Sequence, residues 1–402
     1  MKVTVHPSRA VGTVCAPPSK SLAHRALIGG ALSAGSTVDN VAYSKDIEAT
    51  IACLQALGVS IHADGDRVST GGFSFDAIPD NAVLPCNESG STLRFLLPLC
   101  MAAGKPLTLC GSTRLFERPL TVYERIAAEQ GITFVKSADR VQVCGRLRSG
   151  DYTVEGDVSS QFISGLLLAL PLLDGDSTLT VTGKFESASY VALTVQTLRQ
   201  FGIVVTETDH TFAVRGGQTY APLDYTVEGD CSNAAFLEAL NLLGGAVTVT
   251  GLKSDSLQGD RVYATMFDAL RRGQREFDLS DCPDLAPVLF AMAAVHGGAR
   301  FDGTARLRIK ESDRAAAMAE ELAKFGIAVD VENNRVTVHG GDLKPPTEPL
   351  CGHNDHRIVM ALSLLCTVVG GTVTEAQAVA KSYPDFFDVL RSLQIGLDLY
   401  ET

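Results

Sequence analysis

Pro17-Pro18-Ser19-Lys20-Ser21-Leu22-Ala23-His24-Arg25 leads into an apolar run that reads as a helix. Two hydroxyls, a Lys and an Arg crowd its start, and Ser21 and Arg25, four apart, share one helical face. Unpaired N–H groups and the positive dipole end favour an anion at such a place. The segment therefore reads as a phosphate or carboxylate receptor, or as a capped helix start with solvated basic residues. Gly352-His353-Asn354-Asp355-His356-Arg357 makes a second junction of this kind, ahead of Ile358-Val359-Met360-Ala361-Leu362. A guanidinium buried at the mouth of so apolar a run requires an anionic partner. In Arg306-Leu307-Arg308-Ile309-Lys310-Glu311-Ser312-Asp313-Arg314, Lys310 and Arg314 flank a carboxyl that can work as an acid. Alternation up to Ile309 reads as a strand end, with Ser312 or Asp313 capping the next helix. Three further segments are weaker. Arg114-Leu115-Phe116-Glu117-Arg118-Pro119 can be a loop ion pair, and Val158-Ser159-Ser160-Gln161-Phe162 a cap. Ala380-Lys381-Ser382-Tyr383-Pro384-Asp385 adds one more Lys in a turn. His353 and His356 have no third ligand at metal spacing, so no metal is expected.

These segments recur at equivalent places in a pattern that repeats six times. A short polar cluster is followed by a strongly apolar helix, one or two Gly, a Thr/Val-rich strand, an amphipathic helix and another strand. The openings are Ser19-Lys20-Ser21, Ser89-Gly90-Ser91, Val158-Ser159-Ser160, Cys231-Ser232-Asn233, Cys282-Pro283-Asp284 and Asn354-Asp355-His356. The amphipathic helices end at residues 58, 131, 202, 273, 326 and 394, in steps of 73, 71, 71, 53 and 68, with Gly at all but the last. The first helix of each unit is apolar almost all round and must be buried on every side. The second has one apolar face, as with Met318, Leu322 and Phe325 against Glu320, Glu321 and Lys324. Three units around three buried helices make one domain, so two similar domains are expected: residues 18–222, and 1–17 with 223–402. Parallel buried helices would turn their polar starts toward a cleft between the two domains. Lys20, Arg25, Arg118, Lys310, Arg314, Arg357 and Lys381 would then line it.

The chain has 402 residues, 46% hydrophobic and 20% charged, which suits two or three folded domains and excludes a disordered chain. Its net charge of −12 argues against a nucleic-acid or acidic-membrane binder, so the gathered cations point to a polyanionic small substrate. None of the ten cysteines forms a C-x-x-C pair and most lie in apolar runs, as small buried thiols do in a reducing compartment. The N-terminal segment has no apolar signal core and no stretch reaches 18 apolar residues. A cytoplasmic protein without a membrane span is expected.

In combination these motifs resemble the 5-enolpyruvylshikimate-3-phosphate synthase family along nearly the whole chain. They are Ser19-Lys20-Ser21 with Arg25, Gly90 with Arg94, Glu117-Arg118-Pro119, Ser159-Ser160-Gln161, Pro283-Asp284, Lys310-Glu311-Ser312-Asp313-Arg314, Asn354-Asp355-His356-Arg357 and Lys381 before Pro384-Asp385. The resemblance implies an α/β fold of two inside-out domains, each of three βαβαββ-type repeats around buried parallel helices. It implies transfer of the enolpyruvyl group of phosphoenolpyruvate to the 5-hydroxyl of shikimate 3-phosphate, without cofactor or metal, by a monomer. By the same resemblance Lys20, Ser21, Arg25, Ser159, Ser160, Gln161, Ser187, Tyr190, Asp284 and Lys310 touch shikimate 3-phosphate. Lys20, Gly90, Arg118, Gln161, Arg314, Arg357 and Lys381 hold phosphoenolpyruvate. Asp284 is the expected base for the hydroxyl and Glu311 the expected group for the carbon proton. Lys20 assists as acid and electrostatic partner, and His356 orients the phosphate.

The sequence departs from the family pattern at four places. Glu88-Ser89 stands for Asn-Ala, Ser91 for Thr, Phe95 for the Pro after Arg94, and Arg306-Leu307 for Asn-Trp. The sister enzyme acting on UDP-N-acetylglucosamine shares fold and donor but carries a Cys where this chain has Thr113. A non-catalytic anion-binding repeat scaffold is the other alternative, and it would have no use for Asp284 and Glu311 together.

Overall fold

The apolar runs fold as helices buried along most of their length. The computed structural model describes residues 1–401 and divides the chain into two units, Pro18–Glu228 and Met1–Pro17 with Gly229–Thr402. Pro18–Glu228 contains α1 (Lys20–Leu32), α2 (Lys45–Ala56), α3 (Gly90–Ala102), α4 (Thr113–Glu117), α5 (Thr121–Gln130), α6 (Ser160–Ala169) and α7 (Ala188–Gln200). The apolar helices α1, α3 and α6 are buried on every face, continuously from Leu22 to Leu32 in α1 and from Thr92 to Ala102 in α3. Each aliphatic or aromatic side chain withdrawn from water there contributes about 1.5–3 kcal/mol, and together they form the core of this unit.

Strands flank the buried helices in a fixed order. Val83–Asn87 and Leu107–Gly111 run parallel with α3 as the crossover between them, as a parallel pair requires. Arg140–Cys144 and Thr133–Lys136 extend that sheet antiparallel. Asp151–Glu155 and Ser177–Thr182 do the same across α6. The first repeat has no leading strand of its own. Asp224–Thr226 takes that place, parallel to Ser36–Asp39, so the segment after Pro222 still belongs to this unit. The crossing at 222/223 read from Ala221-Pro222-Leu223 therefore moves to 228/229, because pairing three-residue strands leaves little trace in local sequence.

The other unit holds α8 (Cys231–Leu242), α9 (Tyr263–Arg271), α10 (Ala286–Val295), α11 (Arg314–Lys324), α12 (His356–Val369) and α13 (Phe386–Ser392). Here α8, α10 and α12 form the buried set, with a core of their own. The start of the chain completes this unit. Val11–Cys15 runs parallel to Ala246–Thr250, and Lys2–Val5 lies antiparallel between Gly371–Val373 and Leu397–Tyr400. One local expectation fails. Ala305–Ile309 is a 3-10 turn and not a strand end, since the strand Ala299–Asp302 stops at Gly303 with φ +75°. Leu307 and Arg306 are both buried there, and alternation over four residues cannot separate the two conformations.

Five amphipathic helices end on a Gly with positive φ, from +69° at Gly131 to +93° at Gly273. In the sixth copy Gln394 takes the same left-handed turn at φ +66°, a conformation that costs a residue with Cβ about 1 kcal/mol. Among the described residues no helix is long and apolar enough to cross a membrane.

Candidate active site

In Pro18–Glu228 the singled-out residues gather at helix starts. Lys20 and Ser21 are the first two residues of α1, and Lys20 Nζ contacts Asp46 Oδ2 at 2.7 Å from the first turn of α2. Arg25, one turn further on, is buried. Its Nη1 donates to the Ser21 carbonyl at 2.6 Å, its Nη2 to the Tyr190 carbonyl at 2.9 Å and its Nε to Thr194 Oγ1 at 2.8 Å. Ser187, at φ +55°, makes the turn that brings the start of α7 and Tyr190 to Arg25.

Gly90 opens α3, whose cap is Ser89 Oγ accepting from Thr92 N at 3.2 Å. The guanidinium of Arg118 lies so close that a Cβ on Gly90 would meet Nη1 at 2.5 Å. Arg118 is buried, and its Nε has no acceptor among the described residues. Glu117 instead pairs with Arg114 at 3.2 Å on the surface, so the loop ion pair exists and leaves Arg118 out of it. Ser159 caps α6 through Gln161 N at 3.3 Å, and Ser160 and Gln161 follow. Gln161 Nε2 donates to Ser91 Oγ at 3.0 Å, while its Oε1 accepts from Arg94 Nη1 at 3.5 Å. Arg94 Nη2 donates to the Pro119 carbonyl at 3.0 Å and so ties the Gln161 group to the residue beside Arg118.

The other unit gathers a denser set. Asp284 lies in the turn before α10, and its Oδ1 is 3.2 Å from Lys310 Nζ and 2.8 Å from Arg314 Nη1. Its Oδ2 is 3.0 Å from Arg357 Nη2, and its carbonyl accepts from Arg357 Nη1 at 3.1 Å. Arg314 is the first residue of α11. Its side chain is 1% exposed, and it also reaches Glu311 Oε2 at 2.8 Å and Asp355 Oδ2 at 2.9 Å. Asp355 caps α12 by accepting from Arg357 N at 2.9 Å and takes Ser312 Oγ at 3.1 Å. His356, the first residue of α12, is buried with Nδ1 3.8 Å from Asp355 Oδ1. Lys381 Nζ donates to the Asn354 carbonyl at 2.5 Å.

Burial opposes charge on Asp284, but Arg357, Lys310 and Arg314 outweigh it and hold the carboxyl well below the usual carboxylate range. Burial pulls Lys310 down. For Arg314 burial is overcome by Asp355, Glu311 and Asp284, which keep it charged. Asp284 is thus met by three cations, Lys310, Arg314 and Arg357, within a charged network that Glu311 and Asp355 complete.

A neighbouring contact sets the turn that carries Asn354 and Asp355. His353 and Asn354 have φ +49° and +47°, and His353 Nε2 lies 3.1 Å from Glu321 Oε1. Glu320, Glu321 and His353 bring ligand atoms within 4.8 Å of one another, but Lys324 Nζ at 3.0 Å and Cys351 N at 2.8 Å already occupy the two oxygens of Glu321. The Glu321 contact raises the His353 pKa against the effect of burial. A raised folded pKa stabilises the protein fully below the unfolded value near 6.5, and the benefit fades as pH rises through the folded value. His353→Gln is expected to lower stability by about 1 kcal/mol at pH 5.5 and much less at pH 9. Thermal melts across that range check this, and a gap that ignores pH would contradict it.

The family model for EPSP synthase (3-phosphoshikimate 1-carboxyvinyltransferase) matches residues 5–390. The chain belongs to the EPSP synthase family. The 3-phosphoshikimate 1-carboxyvinyltransferase of Clostridium kluyveri is 42% identical over 98% of this chain and 98% of its own. That of Clostridium novyi is 38% identical over 96% of this chain and 95% of its own. The structure of EPSP synthase from Acinetobacter baumannii matches with a TM-score of 0.79 at 22% identity, covering 99% of this chain and 100% of that one. The fold is accordingly the two-domain inside-out α/β fold of the EPSP synthases, with the buried helices inside and the strands and amphipathic helices outside.

Several residues that build the site had no functional reading in the sequence. Asp46 holds Lys20, and Thr194 and Ser164 hold Arg25; Arg94, quoted in a motif but given no role there, braces Gln161. Asp355 was legible only as part of a motif, yet its position between a polar turn and an apolar helix is that of an N-cap. Its partners Arg314 and Ser312 are more than 40 residues away, at separations of 41 and 43.

Proposed function

We infer that the chain transfers the enolpyruvyl group of phosphoenolpyruvate to the 5-hydroxyl of shikimate 3-phosphate and releases phosphate, a step toward chorismate and the aromatic amino acids. The observation that carries this reading is the 42% identity, along 98% of both chains, to an enzyme named for that reaction. Thr113, where the UDP-N-acetylglucosamine enzyme has Cys, argues against the sugar nucleotide as acceptor. In this reading the chain works as a monomer in the cytoplasm, without cofactor.

Both substrates are anions, and each unit carries buried cations of its own. Arg25 with Ser21, Ser159, Ser160, Gln161, Ser187 and Tyr190 serves shikimate 3-phosphate, joined by Asp284 and Lys310. Lys20, Gly90, Arg118 and Gln161, with Arg314, Arg357 and Lys381, serve phosphoenolpyruvate. The acceptor hydroxyl adds to C2 of phosphoenolpyruvate and loses its proton, while C3 gains one. The tetrahedral adduct then expels phosphate as C3 gives a proton back. Asp284 takes the hydroxyl proton and Glu311 serves C3. Asp284 is a weak base while Arg314, Arg357 and Lys310 hold it. A substrate carboxylate that engages Arg314 and Arg357 relieves that hold and raises its basicity. Lys20 assists as acid and electrostatic partner, and His356 orients the phosphate.

Gly90→Ala tests the donor contacts. The methyl would meet Arg118 Nη1 at 2.5 Å and push the flexible guanidinium aside. The KM for phosphoenolpyruvate is expected to rise about tenfold, with shikimate 3-phosphate binding held within about twofold. An unchanged donor KM would contradict the placement. The reaction is tested by phosphate release from phosphoenolpyruvate with shikimate 3-phosphate and, separately, with UDP-N-acetylglucosamine. Release with the shikimate ester alone is expected. Release with the sugar nucleotide alone, or with neither from folded protein, would overturn the reading.

A further inference from the structure

The two cation sets are stabilised by different means. Arg314 is neutralised by carboxylates, whereas among the described residues the hydrogen-bond partners of the buried Arg25 are neutral: the carbonyls of Ser21 and Tyr190 and the hydroxyls of Thr194 and Ser164. A guanidinium at 3% exposure without a counter-charge is costly to keep ionised, and burial brings its pKa down to about 10. Tyr190 and Tyr225 nearby favour the cation, and the face of Phe95 lies over it. The Phe95 ring centroid lies 4.9 Å from the guanidinium carbon, and the side chain is 1% exposed. His24 meets the edge of the same ring at 6.4 Å, and burial, with Lys20 and Arg25 nearby, keeps its pKa low and the imidazole neutral. A carboxylate in place of the ring would satisfy Arg25 and compete with any incoming anion. A ring face forms no hydrogen bond and leaves the charge available.

We propose that Phe95 is a positioning residue whose ring face holds the Arg25 guanidinium in place to take an anionic group of the acceptor. The proposal rests on the transfer reading for the identity of that acceptor.

One, two or three fluorines on the Phe95 ring preserve its shape while draining negative charge from its face. Calorimetry without phosphoenolpyruvate is expected to show shikimate 3-phosphate affinity falling stepwise, to about tenfold weaker with three fluorines. Phe95→Leu should weaken it comparably. The KM for phosphoenolpyruvate and the melting temperature should stay at parent values across the fluorinated series. Flat acceptor affinity across that series, or equal loss of both substrates, would overturn the proposal. If the parent chain binds no shikimate 3-phosphate, the transfer reading falls. The same series titrated with inorganic phosphate then decides the role of the ring, with graded loss upholding it and constant affinity refuting it.

Discussion

Glu311→Gln lowers kcat by about 10²–10⁴-fold while the fold and the affinity for both substrates stay near those of the parent chain. The side chain is 21% exposed, and its Oε2 accepts from Arg314 Nη2 at 2.8 Å. Glutamine keeps an oxygen for that contact and nearly the same volume, but it cannot carry a proton to and from C3. Deuterium from solvent should therefore cease to appear in the methylene of recovered phosphoenolpyruvate. A variant within a factor of ten of the parent kcat, still exchanging deuterium, would remove Glu311 from the chemistry.

Arg314→Met has the largest expected effect on stability. The guanidinium ties Asp284, Glu311 and Asp355 together, and the side chain of Asp355 is wholly buried. Removing it leaves a buried carboxylate without its main counter-charge, a loss of about 3–5 kcal/mol. Arg314→Lys restores a point charge but not the fork that meets three carboxylates. It should recover part of the stability and little of the turnover. Urea unfolding of the three proteins measures this. Equal midpoints for parent and Arg314→Met would show that the network contributes nothing to the fold.

The six-fold pattern and the buried helices were legible because an apolar run without a polar face has only one stable place, and because Gly131 and its equivalents mark helix ends. The grouping of Lys20, Gly90, Ser159 and Arg357 at helix starts was legible for the same reason: small polar and basic residues stand directly before apolar runs. Long-range partners were not. Nothing near Asp224–Thr226 announces that it pairs with Ser36–Asp39, and nothing near Asp46 announces Lys20. Such contacts are set by how the helices pack, which local periodicity does not encode. The 3-10 turn at Ala305–Ile309 misled for a related reason. Arg306 answers to Ser280, whose carbonyl accepts from its Nη2 at 2.6 Å, and Leu307 to the apolar core.

The transfer itself is tested most directly by following phosphoenolpyruvate labelled with carbon-13 at C2, mixed with shikimate 3-phosphate and the parent chain, by carbon NMR. The labelled carbon is expected to move into a vinyl ether on the 5-oxygen of the shikimate ester as free phosphate appears in equal amount. Label that remains in phosphoenolpyruvate, or that emerges as pyruvate, would contradict the transfer.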